Sequence, residues 1–183
     1  MIHHVRITHK EKETKNELPY GLFNVRMTNE GLRIYTQHYE SNKKDTIIKN
    51  HDLKAIVKSK FDGFGLDGRK NKSGILIYGP PGNGKTTDIM ELIDLAQDMK
   101  LRIFFVDGDT KIEYLEMIRP AMKGERTVFI MEEMTERLGR GVEPLLTFLD
   151  GEKSWNNSVT IATTNYPEDF PANLVDRPGR FET

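Results

Sequence analysis

Eight consecutive residues, Gly79-Pro80-Pro81-Gly82-Asn83-Gly84-Lys85-Thr86, constrain this chain more than any other stretch. They fit G-x-x-x-x-G-K-[ST], a glycine-rich loop whose backbone N–H groups turn towards one anion. Such a loop works only between a strand and a helix, and its flanks supply both. Gly74-Ile75-Leu76-Ile77-Tyr78 is a short apolar, β-branched run that reads as a buried strand. Ile89, Leu92, Ile93 and Ala96 then recur at helical spacing among Asp88, Glu91, Asp94 and Asp98. The helix N-terminus adds its partial positive charge, so the stretch predicts a site for a nucleotide's phosphates. Lys85 is placed to reach the β- and γ-phosphates and the Thr86 hydroxyl to take Mg²⁺. Pro80, Pro81, Gly82, Asn83, Gly84 and Thr87 complete the expected cradle.

A chain of 183 residues accommodates one α/β domain with a real core and a small extension. The net charge is −1 and the charges are mixed in sign, which gives no electrostatic footprint for nucleic acid or an anionic membrane. The absence of cysteine excludes disulfides and thiolate metal sites. Met1-Ile2-His3-His4-Val5-Arg6 lacks the apolar core of a signal peptide, and no segment reaches transmembrane length. A cytoplasmic protein is the simplest expectation, with an organelle matrix also compatible.

Residues 1–45 differ in character from 46–183, which sets the expected division into a small extension and a core. Residues 22–27 and 32–35 flank Thr28-Asn29-Glu30-Gly31, a hairpin pattern in which Gly31 supplies the positive φ of the turn. Residues 41–45 read as a linker. His3, His4, His9 and His38 show no metal-ligand spacing. An amphipathic helix is expected over 52–61, with Leu53, Ile56 and Val57 inward. Further strands are expected over 102–107, 127–133 and 159–163. A helix carries Ile112, Leu115, Met117 and Ile118 as core residues, and another over 142–149 turns Leu145, Leu146, Phe148 and Leu149 inward.

The strand over 127–133 ends in chemistry. Val128-Phe129-Ile130-Met131 runs straight into Glu132 and Glu133, the Walker B pattern that delivers carboxylates beside a phosphate loop. Glu132 is the candidate metal residue, holding Mg²⁺ through water. Glu133 is the candidate general base for the hydrolytic water. The strand over 159–163 leads to Asn165, which either contacts the γ-phosphate and the water or serves as a turn residue. Arg177 and Arg180 bracket Pro178-Gly179, and guanidinium groups in such a turn are either surface charges or the means of neutralising a γ-phosphate.

Together, the phosphate loop, residues 128–133, Ala162-Thr163-Thr164-Asn165 and Arg177-Pro178-Gly179-Arg180-Phe181 make the chain resemble the AAA ATPases. Leu149-Asp150-Gly151 is also similar to that family. The resemblance implies an α/β fold, a P-loop NTPase three-layer sandwich whose parallel sheet has the order 5-1-4-3-2. It implies ATP and Mg²⁺ as cofactors, Asn165 as sensor, and Ile47 and Ile48 near the adenine. Arg177 and Arg180 become arginine fingers that act in trans, within a homo-oligomeric ring, usually a hexamer.

The chain also departs from that family. Glu132 stands where Asp is usual. No aromatic–hydrophobic–glycine pore loop follows Val106, a feature similar to the Rieske-protein translocase branch, although that branch's membrane segment has no counterpart here. Residues 1–45 resemble no adaptor-binding domain. The chain ends at Thr183, where the family's fifth strand begins. The fifth strand and the helical lid after it are therefore expected to be absent, the phosphate-loop strand to be left with an unpaired edge, and the chain to be a piece of a longer ATPase. The activity expected is Mg²⁺-dependent ATP hydrolysis that remodels a protein or protein complex. A nucleotide-dependent assembly module with little turnover, or a nucleic-acid loader, are the alternatives; balanced charge argues against the loader, and the lack of Asn-Lys-x-Asp after the phosphate loop argues against guanine.

Overall fold

A computed structural model describes residues 18–37, 52–65, 71–94, 96–107, 110–122, 124–135, 142–150, 155–175 and 180–182. Its strands are β1 (Gly21–Thr28), β2 (Gly31–Gln37), β3 (Lys72–Tyr78), β4 (Arg102–Phe105), β5 (Thr127–Met131), β6 (Ser158–Thr164) and β7 (Phe181–Glu182). Its α-helices are α1 (Leu53–Gly63), α2 (Lys85–Asp94), α3 (Ile112–Ile118) and α4 (Glu143–Asp150). The strands form one sheet in the order β2-β1-β4-β5-β6-β3-β7. The run β4-β5-β6-β3-β7 is parallel throughout. Numbered along the chain from the strand that carries the phosphate loop, it is the expected order 5-1-4-3-2.

The strands were legible because both faces of the sheet are covered, so their sequences are apolar at nearly every position. Successive side chains alternate between two cores. Ile75, Ile103, Val128, Ile130, Val159 and Ile161 pack with Leu53, Val57, Phe61, Ile89 and Leu92 from α1 and α2. Leu76, Phe104, Phe129, Met131 and Ala162 face the other way, onto Leu115 and Ile118 of α3 and Leu145, Phe148 and Leu149 of α4. The result is the expected three-layer sandwich. Asp52 caps α1 by accepting a 2.9 Å hydrogen bond from the Ala55 amide.

The hairpin forms as the sequence indicates. Its turn is Asn29-Glu30, between the paired Thr28 and Gly31, and Gly31 has φ 115°. The hairpin belongs to the same sheet: β1 runs parallel to β4, with Leu22 opposite Ile103 and Phe23 opposite Phe104. A file of rings crosses this junction, Phe23 to Phe104 at 5.7 Å and Phe104 to Phe129 at 5.9 Å. The boundary at residue 45, the linker over 41–45 and the histidines at 3, 4, 9 and 38 lie outside the described residues.

Two expectations about packing are corrected. Ile56 and Met117 are exposed rather than core, because Phe61 completes the buried face of α1 while Leu115 and Ile118 suffice for the short α3. The larger correction concerns the fifth strand. A short strand, β7, takes that place and pairs in parallel with β3, Phe181 opposite Gly74 and Glu182 opposite Ile75. The phosphate-loop strand is thus covered on that side along part of its length. Phe181 is fully buried and packs edge-on against Phe170, with centroids 5.6 Å apart, and this burial docks a strand too short to show any alternation. Gly74 makes the docking possible: a Cβ there would lie 2.7 Å from the Arg180 carbonyl oxygen.

Candidate active site

Parallel pairing places the ends of three strands side by side. In β3 and β6, Tyr78 lies opposite Thr164; in β5 and β6, Met131 lies opposite Ala162. With β6 in the middle, the phosphate loop leaving β3, the acids leaving β5 and the Asn leaving β6 must all emerge at one edge. Ligands of open α/β sheets bind at this carboxyl edge. A cleft of about 380 Å³ opens there, and Lys85, Thr86, Glu132, Glu133, Thr163 and Asn165 share its lining with the rest of the loop over 81–87.

The loop owes its shape to glycine. Gly82 and Gly84 adopt φ 81° and 82°, where a Cβ is disfavoured, and α2 starts immediately afterwards at Lys85. The loop is anchored to the neighbouring strand by the Gly79 amide, which donates to the Thr164 carbonyl at 3.4 Å. The Lys85 ammonium donates to the carbonyls of Gly79, at 2.6 Å, and Pro80, at 3.1 Å. It therefore lies folded along its own loop. Pro80 belongs to this loop and contacts Lys85, although the cleft's lining begins at Pro81.

Across the cleft, Thr86 donates a 3.1 Å hydrogen bond from Oγ1 to Oε1 of Glu132. The extra methylene of Glu, compared with Asp, thus does not prevent contact between this acid and the loop. A hydroxyl and one carboxylate, with open space beside them, suit Mg²⁺, which binds through one or two protein oxygens plus phosphate and water. Among the described residues no group of three or more His, Cys, Asp or Glu is placed to hold a metal ion. Glu133 is exposed and adopts φ 52°, and its amide donates to Oγ1 of Thr163 at 3.2 Å.

Of the remaining candidates, Arg180 is described, and it is not brought to the cleft. Arg180 is buried, 7% exposed, and its guanidinium is held by the Asp150 carboxylate and the Asn173 carbonyl of its own chain. Lys72 joins this cluster, with Nζ 3.9 Å from Asp150 Oδ1. Arg177, Ile47 and Ile48 lie outside the described residues. Thr163 and Asp150 are not among the residues expected from the sequence, although each lies within a stretch similar to the AAA ATPases. The available signal for Thr163 was a hydroxyl near the end of a strand beside an acidic strand end; for Asp150, it was a carboxylate at the C-terminus of a largely apolar helix.

The family model described as ATPase family associated with various cellular activities (AAA) matches residues 75–183, more than half of the chain. The ATPase family gene 2 protein of Schizosaccharomyces pombe is 33% identical over 129 residues, which are 60% of this chain and 16% of that protein. Protein SAV of Sulfolobus acidocaldarius is 28% identical over 67% of this chain and 17% of its own length. The chain thus spans about a sixth of the length of these relatives. A solved structure of the FIGL-1 AAA domain in complex with ADP matches with a TM-score of 0.49 at 16% identity, covering 75% of this chain and 53% of that one. No helix among the described residues is long and apolar enough to cross a membrane.

Proposed function

The chain belongs to the AAA family of ATPases, and from that premise we propose that it hydrolyses ATP to ADP and phosphate with Mg²⁺, driving the remodelling of a protein or protein complex. The observation that carries this reading is the meeting of Lys85, Thr86, Glu132, Glu133 and Asn165 in one cleft.

Binding begins with exchange. Lys85 leaves the Gly79 and Pro80 carbonyls for the β- and γ-phosphate oxygens, and the loop amides and the start of α2 receive the remaining charge. Thr86 and Glu132 would hold the metal, which would supply positive charge to offset that developing on the phosphates. Glu133 accepts a proton from the attacking water as the water oxygen bonds to the γ-phosphorus. The bond from that phosphorus to the bridging oxygen breaks, and ADP takes up the electron pair. Asn165 orients the water or the γ-phosphate. Arg177 completes the site of a neighbouring copy in a ring, and Arg180 can do so only after leaving Asp150 and Asn173.

Replacing Glu133 by Gln separates this reading from that of a binding module. An ATPase loses turnover by roughly 10²–10⁴-fold while still binding ATP, as measured by phosphate release and by titration with a fluorescent ATP analogue. A binding module shows the same assembly, partner capture and negligible turnover with either residue.

A further inference from the structure

Glu133 has an unusual backbone. At φ 52° it occupies the left-handed region, which a residue with a Cβ and no short polar side chain seldom enters. It also lies beyond the end of its strand: the ladder between β5 and β6 closes at the pair Met131–Ala162, so no β-sheet carbonyl receives the Glu133 amide. The Thr163 hydroxyl receives it, at 3.2 Å. Thr163 is well suited to that task. It is 3% exposed, its backbone is held in register with Ile77 of β3, and its β-branched side chain has few rotamers to choose from.

The next residue makes a second tie. Oγ1 of Thr164 lies 2.9 Å from Oγ1 of Thr135 and accepts the Tyr166 amide at 3.0 Å. The end of β6 therefore grips the segment that carries Glu133 at two points, while its own next residue is Asn165. Acid and amide are set from one support.

We propose that Thr163 is a positioning residue for Glu133: its hydroxyl, by accepting a hydrogen bond from the Glu133 amide, holds the left-handed turn that presents this carboxylate to the cleft. The consequence for catalysis rests on the reading of Glu133 as general base. Without the hydroxyl, the turn loses the bond that offsets its backbone strain, and the carboxylate moves off the line to the water. A residue that positions the base alters turnover far more than ATP affinity, because on the proposed function the phosphates are held by the loop over 79–87.

The test compares Thr163→Val, which keeps shape and removes the hydroxyl, with Thr163→Ser, which keeps the hydroxyl. Amide hydrogen exchange at Glu133 and ATP turnover are read on the same proteins. The proposal predicts that Glu133 exchange accelerates at least tenfold in Thr163→Val and stays near wild type in Thr163→Ser. Turnover should fall roughly ten- to a hundredfold in the valine variant and be rescued by serine, with the affinity for a fluorescent ATP analogue changing far less than turnover. Should Thr163→Val fail to fold, Thr163→Ala gives the same comparison. Unchanged exchange in the hydroxyl-free variant overturns the anchor. Faster exchange with unchanged turnover overturns its catalytic consequence. If Glu133→Gln hydrolyses ATP as fast as wild type, the reading of Glu133 falls, and exchange alone decides whether Thr163 anchors the turn.

Discussion

Lys85 lies 2.6 Å and 3.1 Å from two carbonyls of its own loop, and on the proposed function a phosphate must win the ammonium from them. Replacing it by Ala removes the charge that pays back this exchange, and ATP affinity should drop by at least tenfold in a fluorescent-analogue titration, with the melting temperature nearly unchanged because Lys85 is not part of either core. At this scale the sequence was most informative. Loop glycines, Lys85, Thr86 and the two acids are chemically obligatory types at fixed spacing, so a one-dimensional reading finds them. Thr163 was not found because its role lies in a bond to a residue thirty positions away. Arg180 shows the same limit from the other side. Its sequence context suggested outward reach, whereas the fold buries it against Asp150, thirty residues earlier in the chain.

Among the elements, β7 and its contacts make the sharpest predictions. Gly74→Ala sets a methyl group 2.7 Å from the Arg180 carbonyl oxygen, and backbone must shift to relieve it. A loss of about 1–3 kcal/mol is expected in chemical denaturation, as for overpacking elsewhere. Asp150→Ala leaves the buried Arg180 guanidinium without its carboxylate and should cost about 1–3 kcal/mol by the same measurement. Asp150→Asn, which keeps a hydrogen-bond acceptor, should recover part of that. The central strands were readable because parallel strands buried on both faces are continuous apolar runs. β7 was not, because two residues carry no period and it is Phe181 meeting Phe170 that makes a strand of them. The hairpin was readable as a local pairing. Its attachment to β4 was not, since nothing local in residues 21–28 names the edge that they join.

Over the described residues the molecule is an AAA sheet widened by a hairpin, with the candidate cleft at the carboxyl edge of its middle strands. The hairpin also touches the segment that follows β4: Asn24 donates to Asp107 at 3.2 Å, and the Arg26 guanidinium lies 3.5 Å from the same carboxylate. The reading proposed for the assembly places Arg177 at the cleft of a neighbouring copy, so activity should depend on association. The measurement that tests the central claim most directly is Mg²⁺-ATP turnover per subunit over a rising series of protein concentrations, made on wild type, Glu133→Gln and Arg177→Ala. The account predicts a rate that climbs with concentration in wild type, stays low at every concentration in Arg177→Ala, and is abolished in Glu133→Gln while that variant still binds ATP. A wild-type protein that binds ATP but turns over no faster than Glu133→Gln at any concentration would contradict it.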